Sequence, residues 1–212
     1  FDQAKIIATI FSDPFSFGPE HIKNIKGFSS KRSVFKPEDA PKMNRLYAVE
    51  ADFSLAGTNA DHRMRLSLGQ GINFVRALAY ELHATHGLDI TGFSKSLSLS
   101  KLVATPPSYK GINKKFVWTM AKDLAQNKGQ ALIVGGDHLP PAALSLIHVL
   151  NAALLGHNKT FSVVALDNAS KEHLNSPGVT ELCEDLKKNQ IQTLMFLGVN
   201  PVYDAPRNLN LS

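Results

Sequence analysis

Cysteine is nearly missing from this sequence: Cys183 stands alone among 212 residues. A single cysteine excludes an internal disulfide, and it cannot hold an iron–sulfur cluster by itself. Long hydrophobic runs are missing too, and none approaches the roughly 18 to 20 residues needed to cross a bilayer. There are no blocks of like charge. The net charge is +5, yet the densest clusters, Lys31-Arg32, Lys114-Lys115 and Lys187-Lys188, are only pairs. Such a spread reads as a mildly basic solvated surface and argues against a nucleic-acid-binding stripe. No repeat of fixed period is visible. No charged start leads into an apolar run and a small-residue cleavage site, so no signal peptide is read within these residues. The chain opens on Phe1-Asp2-Gln3 without Met. The expectation is an internal segment of a longer protein, with any targeting information outside it.

What remains is the composition of a folded domain, 43% hydrophobic and 19% charged, long enough to bury a real core. Short β-branched or apolar runs at residues 4–11, 45–50, 131–134, 161–166 and 193–197 predict strands. Helices are expected from Pro19 onward, around Ile72-Val75-Ala79-Leu82, around Phe116-Val117-Met120-Leu124, after Pro140-Pro141, and around Val179-Leu182-Cys183-Leu186. Residues 29–43 and 51–71 read as polar connections. Residues 88–113, rich in Ser, Thr, Gly and Pro, read as a long excursion and the best place for a subdomain boundary. Strands alternating with helices of this length imply parallel pairing through right-handed crossovers. The expected fold is α/β, a layered parallel sheet with helices on both faces.

In such a sheet, ligands bind beyond the carboxyl ends of the strands. Two glycine-bearing loops are expected there: Gly135-Gly136-Asp137, and Gly198-Val199-Asn200-Pro201. Glycine lets the backbone approach a phosphate or ribose, and Asp137 or Asn200 has the acceptor for a hydroxyl. Neither loop completes a dinucleotide fingerprint or a phosphate loop with its lysine. Glycine that simply makes the turn accounts for the spacing better. Asp61-His62-Arg63 is the most charged constellation, with acid and base adjacent and an anion-holding Arg63 or Arg65. The plainer reading is favoured: Asp61 caps a turn and Arg63 pairs with a carboxylate. His83 and His86, three apart, have no third ligand nearby, and His138 and His148 form no metal pattern. Cys183 falls on the inner side of a helical pattern among Glu181, Glu184 and Asp185, as a small core residue rather than a reactive thiol.

Read in order, several segments resemble one family. Met43-Asn44-Arg45-Leu46-Tyr47-Ala48-Val49-Glu50 is followed by Gly57-Thr58-Asn59-Ala60-Asp61-His62-Arg63, then Lys122-Asp123-Leu124. The Gly135-Gly136 loop with Pro140 comes next, then Asn151-Ala152-Ala153-Leu154, and finally Leu197-Gly198-Val199-Asn200-Pro201-Val202-Tyr203-Asp204-Ala205-Pro206. The first strand with its Asp13, and the helix after Gly18-Pro19, fit as well. Together they resemble the molybdopterin-oxidoreductase-like component of alternative complex III, a family also described as an iron–sulfur-containing hydrogenase-like or Tat-exported molybdopterin oxidoreductase. The resemblance implies a formate dehydrogenase/DMSO reductase-like (Rossmann-like) fold across residues 1–212. It also implies a non-catalytic, cofactor-free scaffold in a quinol-oxidising electron-transfer complex on the periplasmic side of the bacterial inner membrane. The implied partners are the other components of that complex, including a ferredoxin-like part carrying iron–sulfur clusters outside this segment and a membrane quinol-binding subunit. No catalytic residue and no molybdopterin are expected; Gly135, Gly136, Asp137, Gly198 and Asn200 would be a vestigial cofactor cradle. Two alternatives stay open: a fragment of an active molybdopterin-dependent oxidoreductase, and a small-molecule-binding or hydrolytic α/β protein.

Overall fold

A computed structural model describes residues 1–16, 18–90, 92, 105–163, 178–205 and 209. The chain divides into two compact units, Phe1–Val163 and Val164–Ser212. The first unit begins with strand β1 (Ile6–Ile10), whose five residues are all buried. A β-branched run with no polar face needs cover on both sides, and a parallel sheet between helices supplies it. Helix α1 (His21–Ser30) follows, then β2 (Arg45–Glu50), the single-turn α2 (Leu55–Thr58) and β3 (His62–Arg65). Helix α3 (Gly71–Tyr80) continues into a π-helical turn, Glu81–Thr85. Helix α4 (Lys114–Gln126), strand β4 (Ala131–Gly135) and helix α5 (Pro141–Ala153) follow.

The four strands form one all-parallel sheet in the order β3-β2-β1-β4. Side chains alternate across it. Ile6, Ala8, Ile10, Tyr47, Val49 and Ile133 face a core built with α3, α4 and α5. Ile7, Leu46 and Leu132 face the opposite layer, where Phe15, Phe28 and Ala56 cover them. The α/β class, the parallel pairing and the helices on both faces agree with the sequence reading.

Local signals account for most boundaries. The Asn113 side chain accepts the Phe116 N–H and caps α4, and Pro141 occupies the first turn of α5. Gly87 and Gly129, both at positive φ, close the helical segments before them. Residues 51–71, expected as an irregular connection, instead contain α2 and β3. β3 is an edge strand with Met64 as its buried residue, so its composition, His-Arg-Met-Arg, carries no hydrophobic run.

One expected strand lies partly outside the described residues, and another is not found among them. Of residues 161–166, those after 163 lie outside the described residues, and Phe161 makes only an isolated bridge to His157. Among the described residues, the edge of β4 away from β1 is met by side chains. The buried Asn151 amide accepts the Ile133 N–H at 2.8 Å and donates to the Ile133 carbonyl at 2.7 Å. The Thr160 hydroxyl donates to the Ala131 carbonyl at 2.9 Å. A buried sheet edge needs its backbone groups satisfied, and these side chains satisfy three of those of β4.

In the second unit, helix α6 (Val179–Lys187) and the short α7 (Pro201–Asp204) match the expected helix and the Asn200-Pro201 turn. Residues 193–197, expected as a strand, are not one. Among the described residues no strand pairs with them, and Leu194 through Leu197 are exposed. A strand gains its stability from the ladder and the covering layers, and the described residues give this stretch neither.

Candidate functional site

Since β2 and β3 lie to one side of β1 and β4 to the other, the chain reverses direction across the sheet between β1 and β4. The crevice beyond the carboxyl ends of those two strands is where an open α/β sheet holds a ligand. The loops that meet there are residues 11–16 after β1 and residues 136–140 after β4. They touch. The Gly136 N–H donates to the Ile10 carbonyl at 2.9 Å, and a Cβ on Gly136 would fall 1.7 Å from the Phe11 carbonyl oxygen. Phe11 adopts positive φ, and its N–H donates to Val49 O at 2.7 Å, which turns its ring inward. The rings and methyls of Phe11 and Leu139 are buried and close over Gly71 at the start of α3, where a Cβ would lie 2.6 Å from Leu139 Cδ2. Among the described residues, Phe11 and Leu139 occupy this part of the crevice.

The Asp13 and Glu50 carboxylates near it are spent internally. Asp13 accepts from the N–H groups of Phe15, Leu55 and Ala56 and from the Ser16 hydroxyl, tying the first loop to α2. At the end of β2, buried Glu50 accepts the Ser54 hydroxyl and the Arg63 Nε–H, each at 2.5 Å. Gly57 lies against it so closely that a Cβ would come within 1.8 Å of Oε1. The Arg63 guanidinium also lies 3.9 Å from the centre of the Phe53 ring.

The sequence-nominated loop residues are therefore placed as follows. Gly135 packs under Ile147 and Leu144, and Gly136 is buried against the β1 backbone. Asp137 is exposed. Gly198, at positive φ, and Asn200, whose side chain accepts the Tyr203 N–H, belong to the second unit, where they form the turn into α7. The carboxylate at Asp137 and the commitment of the Gly136 N–H to Ile10 are unsuited to a pyrophosphate. Cys183 is buried in α6, where a thiolate reaching a metal would need an open loop. Of the described loop residues in the first unit, Gly136 and Asp137 do not favour a pterin dinucleotide at this crevice. Among the described residues no group of three or more metal-ligating side chains is present.

Asp61, His62 and Arg63 point to separate partners: Arg63 pairs with a carboxylate as expected, whereas the Asp61 side chain caps no turn and binds Arg32 and the start of β2 instead. Asp61 receives both terminal nitrogens of Arg32, at 2.9 and 2.5 Å, and the Leu46 N–H at 2.8 Å. His62 stacks on Tyr47 at 4.7 Å, and Arg63 holds Glu50. Burial disfavours the Asp61 anion, but the Arg32 hydrogen bonds, the Leu46 N–H and the guanidinium charge outweigh it and hold its pKa below the ordinary value. Nearby, Asp123 of α4 pairs with Arg45 and accepts the Tyr47 hydroxyl at 2.6 Å. Burial and that acceptor push the Tyr47 phenol up. A polar pocket of 460 Å³ lies among these groups at the amino ends of β1 and β2, with both acids already paired.

Arg32 and Glu50 were not singled out by the sequence. Arg63 announced a carboxylate partner, but only the β2–β3 pairing shows which one. Asp61→Asn is expected to cost about 1–2 kcal/mol at neutral pH, since it weakens charge-assisted bonds. The Asp61 pKa is lower in the folded state than in the unfolded one. Its contribution is therefore complete above the unfolded value, about 4, and is lost as pH falls through the folded value. Urea midpoints of the two proteins should converge on acidification; a gap that persists would remove the charge from the explanation. No protein-family model matches the chain, and no curated protein matches it.

Proposed function

We propose that this chain is a molybdopterin-oxidoreductase-like domain of the formate dehydrogenase/DMSO reductase type that works without a cofactor of its own. In this reading it is a scaffold in a membrane-associated, quinol-oxidising electron-transfer complex on the periplasmic side of the bacterial inner membrane. It adjoins a ferredoxin-like part that carries the iron–sulfur clusters. The resemblance of the ordered segments from Met43 to Pro206 supports the family. One structural observation supports the loss of cofactor: the direct contact of the Gly136 loop with the Phe11 carbonyl, under Phe11 and Leu139, at the place where a cofactor would enter. An active site kept for turnover would leave that crevice open and its N–H groups unspent. Here the same glycines serve packing.

The test is made on the full-length protein purified from its native host. Metal analysis is expected to find iron and a cluster absorbance without molybdenum, and oxidation is expected to release no fluorescent pterin. Stoichiometric molybdenum with a pterin fluorophore would overturn the scaffold reading in favour of an active molybdopterin oxidoreductase.

A further inference from the structure

Helix α1 is amphipathic the wrong way round. Its inward side carries Asn24, whose amide donates to the Pro14 carbonyl at 3.2 Å, Gly27, packed against the Asp2 backbone, and buried Phe28. At 100° per residue the opposite side centres on Ile22 and Ser29, with Ile25 and Lys26 flanking them and Lys23 beyond. Ile22 is 67% exposed, and in the connection that follows Phe35 is 88% exposed. Both are large apolar side chains left in water, each giving up on the order of 1.5–3 kcal/mol that burial would return.

The charge around them is one-sided. Residues 21–36 contain Lys23, Lys26, Lys31, Arg32 and Lys36 and no Asp or Glu. These five cations equal the net charge of the whole chain, +5. Only Lys31 and Arg32 of this cluster are adjacent; the other members stand three to five residues from their neighbours. Arg32 is committed to Asp61 and Lys23 faces Glu20. Lys26, Lys31 and Lys36 are exposed and, among the described residues, make no ion pair. Beside the same face, Phe15, Ile25, Phe28 and Leu55 line an apolar groove of 330 Å³ with Arg32 at its edge.

We propose that the outward face of α1 and its continuation to Lys36 rest on an anionic lipid surface. Projecting apolar side chains set among long, mobile lysines suit a headgroup layer: the methyls and ring enter the acyl boundary while the ammonium groups stay at the phosphates. The charge is complementary, and the groove offers an apolar floor for a chain end. This surface is distinct from the sheet edge, so the pterin content of the protein does not bear on it.

The experiment is co-sedimentation of the protein with vesicles of phosphatidylcholine alone, and with vesicles of equal parts phosphatidylcholine and phosphatidylglycerol. Binding is expected only to the second, and salt should release it. Each lysine near the surface contributes about fivefold, so K23Q/K26Q/K31Q/K36Q should weaken partitioning by about a hundredfold or more. I22S/F35S should weaken it at low salt, where the lysines remain. The control K110Q/K115Q/K128Q/K159Q removes the same charge elsewhere from exposed positions and should bind as the parent does. All three variants change exposed side chains, and circular dichroism checks that they stay folded. Equal loss in the control, equal binding to both vesicles, or binding to neither overturns the proposal. So does capture of soluble polyglutamate by this face when the vesicles do not bind, which would assign it to an acidic protein.

Discussion

Gly136→Ala is expected to destabilise the first unit by about 4 kcal/mol or more, enough to deplete the soluble folded protein. The added Cβ would stand 1.7 Å from the Phe11 carbonyl oxygen and 2.5 Å from its carbon. Both are backbone atoms of a residue already held at positive φ, so no side chain can swing aside. Relief requires the β4–α5 loop to lift from β1, which breaks the Gly136-to-Ile10 hydrogen bond and uncovers Phe11 and Leu139. Gly135→Ala is the informative companion. Its Cβ would meet the side-chain ends of Ile147, Leu144 and Leu139, at 2.7, 2.9 and 3.3 Å, which can rotate. That variant should remain folded and lose about 1–3 kcal/mol, the usual cost of overpacking. Urea midpoints and soluble yield measure both. Equal losses at the two positions would show that the backbone contact is not what closes the crevice.

The contrast between these glycines also shows what the sequence could reveal. A short apolar run followed by Gly-Gly predicts a strand and a turn at its carboxyl end, and that is where the structure puts β4 and its loop. Whether the turn receives a ligand depends on Phe11, which is 125 residues away in the chain and reads as the last residue of a strand. The fold class was legible because strand and helix periods are local. β3 was not, because an edge strand with one buried Met has no period to detect. The strand expected at residues 193–197 failed for the opposite reason. Its composition suits a strand, but pairing is a property of neighbours, and propensity alone does not supply them. Likewise Asn151 sits in an apolar helical pattern, and nothing in its spacing says that its amide closes the edge of β4.

Arg63→Ala is expected to cost about 3–5 kcal/mol, the range for stripping one partner from a buried ion pair. The Glu50 carboxylate is 8% exposed and its partner 23%. With Arg63 gone, Ser54 is the side-chain donor left to Glu50, and Gly57 still crowds it, so water has no easy entry. Glu50→Gln should cost less, about 1–3 kcal/mol. It keeps the shape and an acceptor for Ser54, and the surviving guanidinium can turn toward solvent. The double variant should then be more stable than the sum of the two losses predicts, by about 1 kcal/mol or more, since removing the charge spares the protein from burying it alone. Phe53→Ala separates the other contact of Arg63. That ring is 76% exposed, and its stacking should be worth no more than about 1 kcal/mol. Additivity of Arg63→Ala and Glu50→Gln would mean that the two side chains stabilise the sheet edge independently. Strong coupling would instead make this pair, and not a bound ligand, the group that holds the ends of β2 and β3 together.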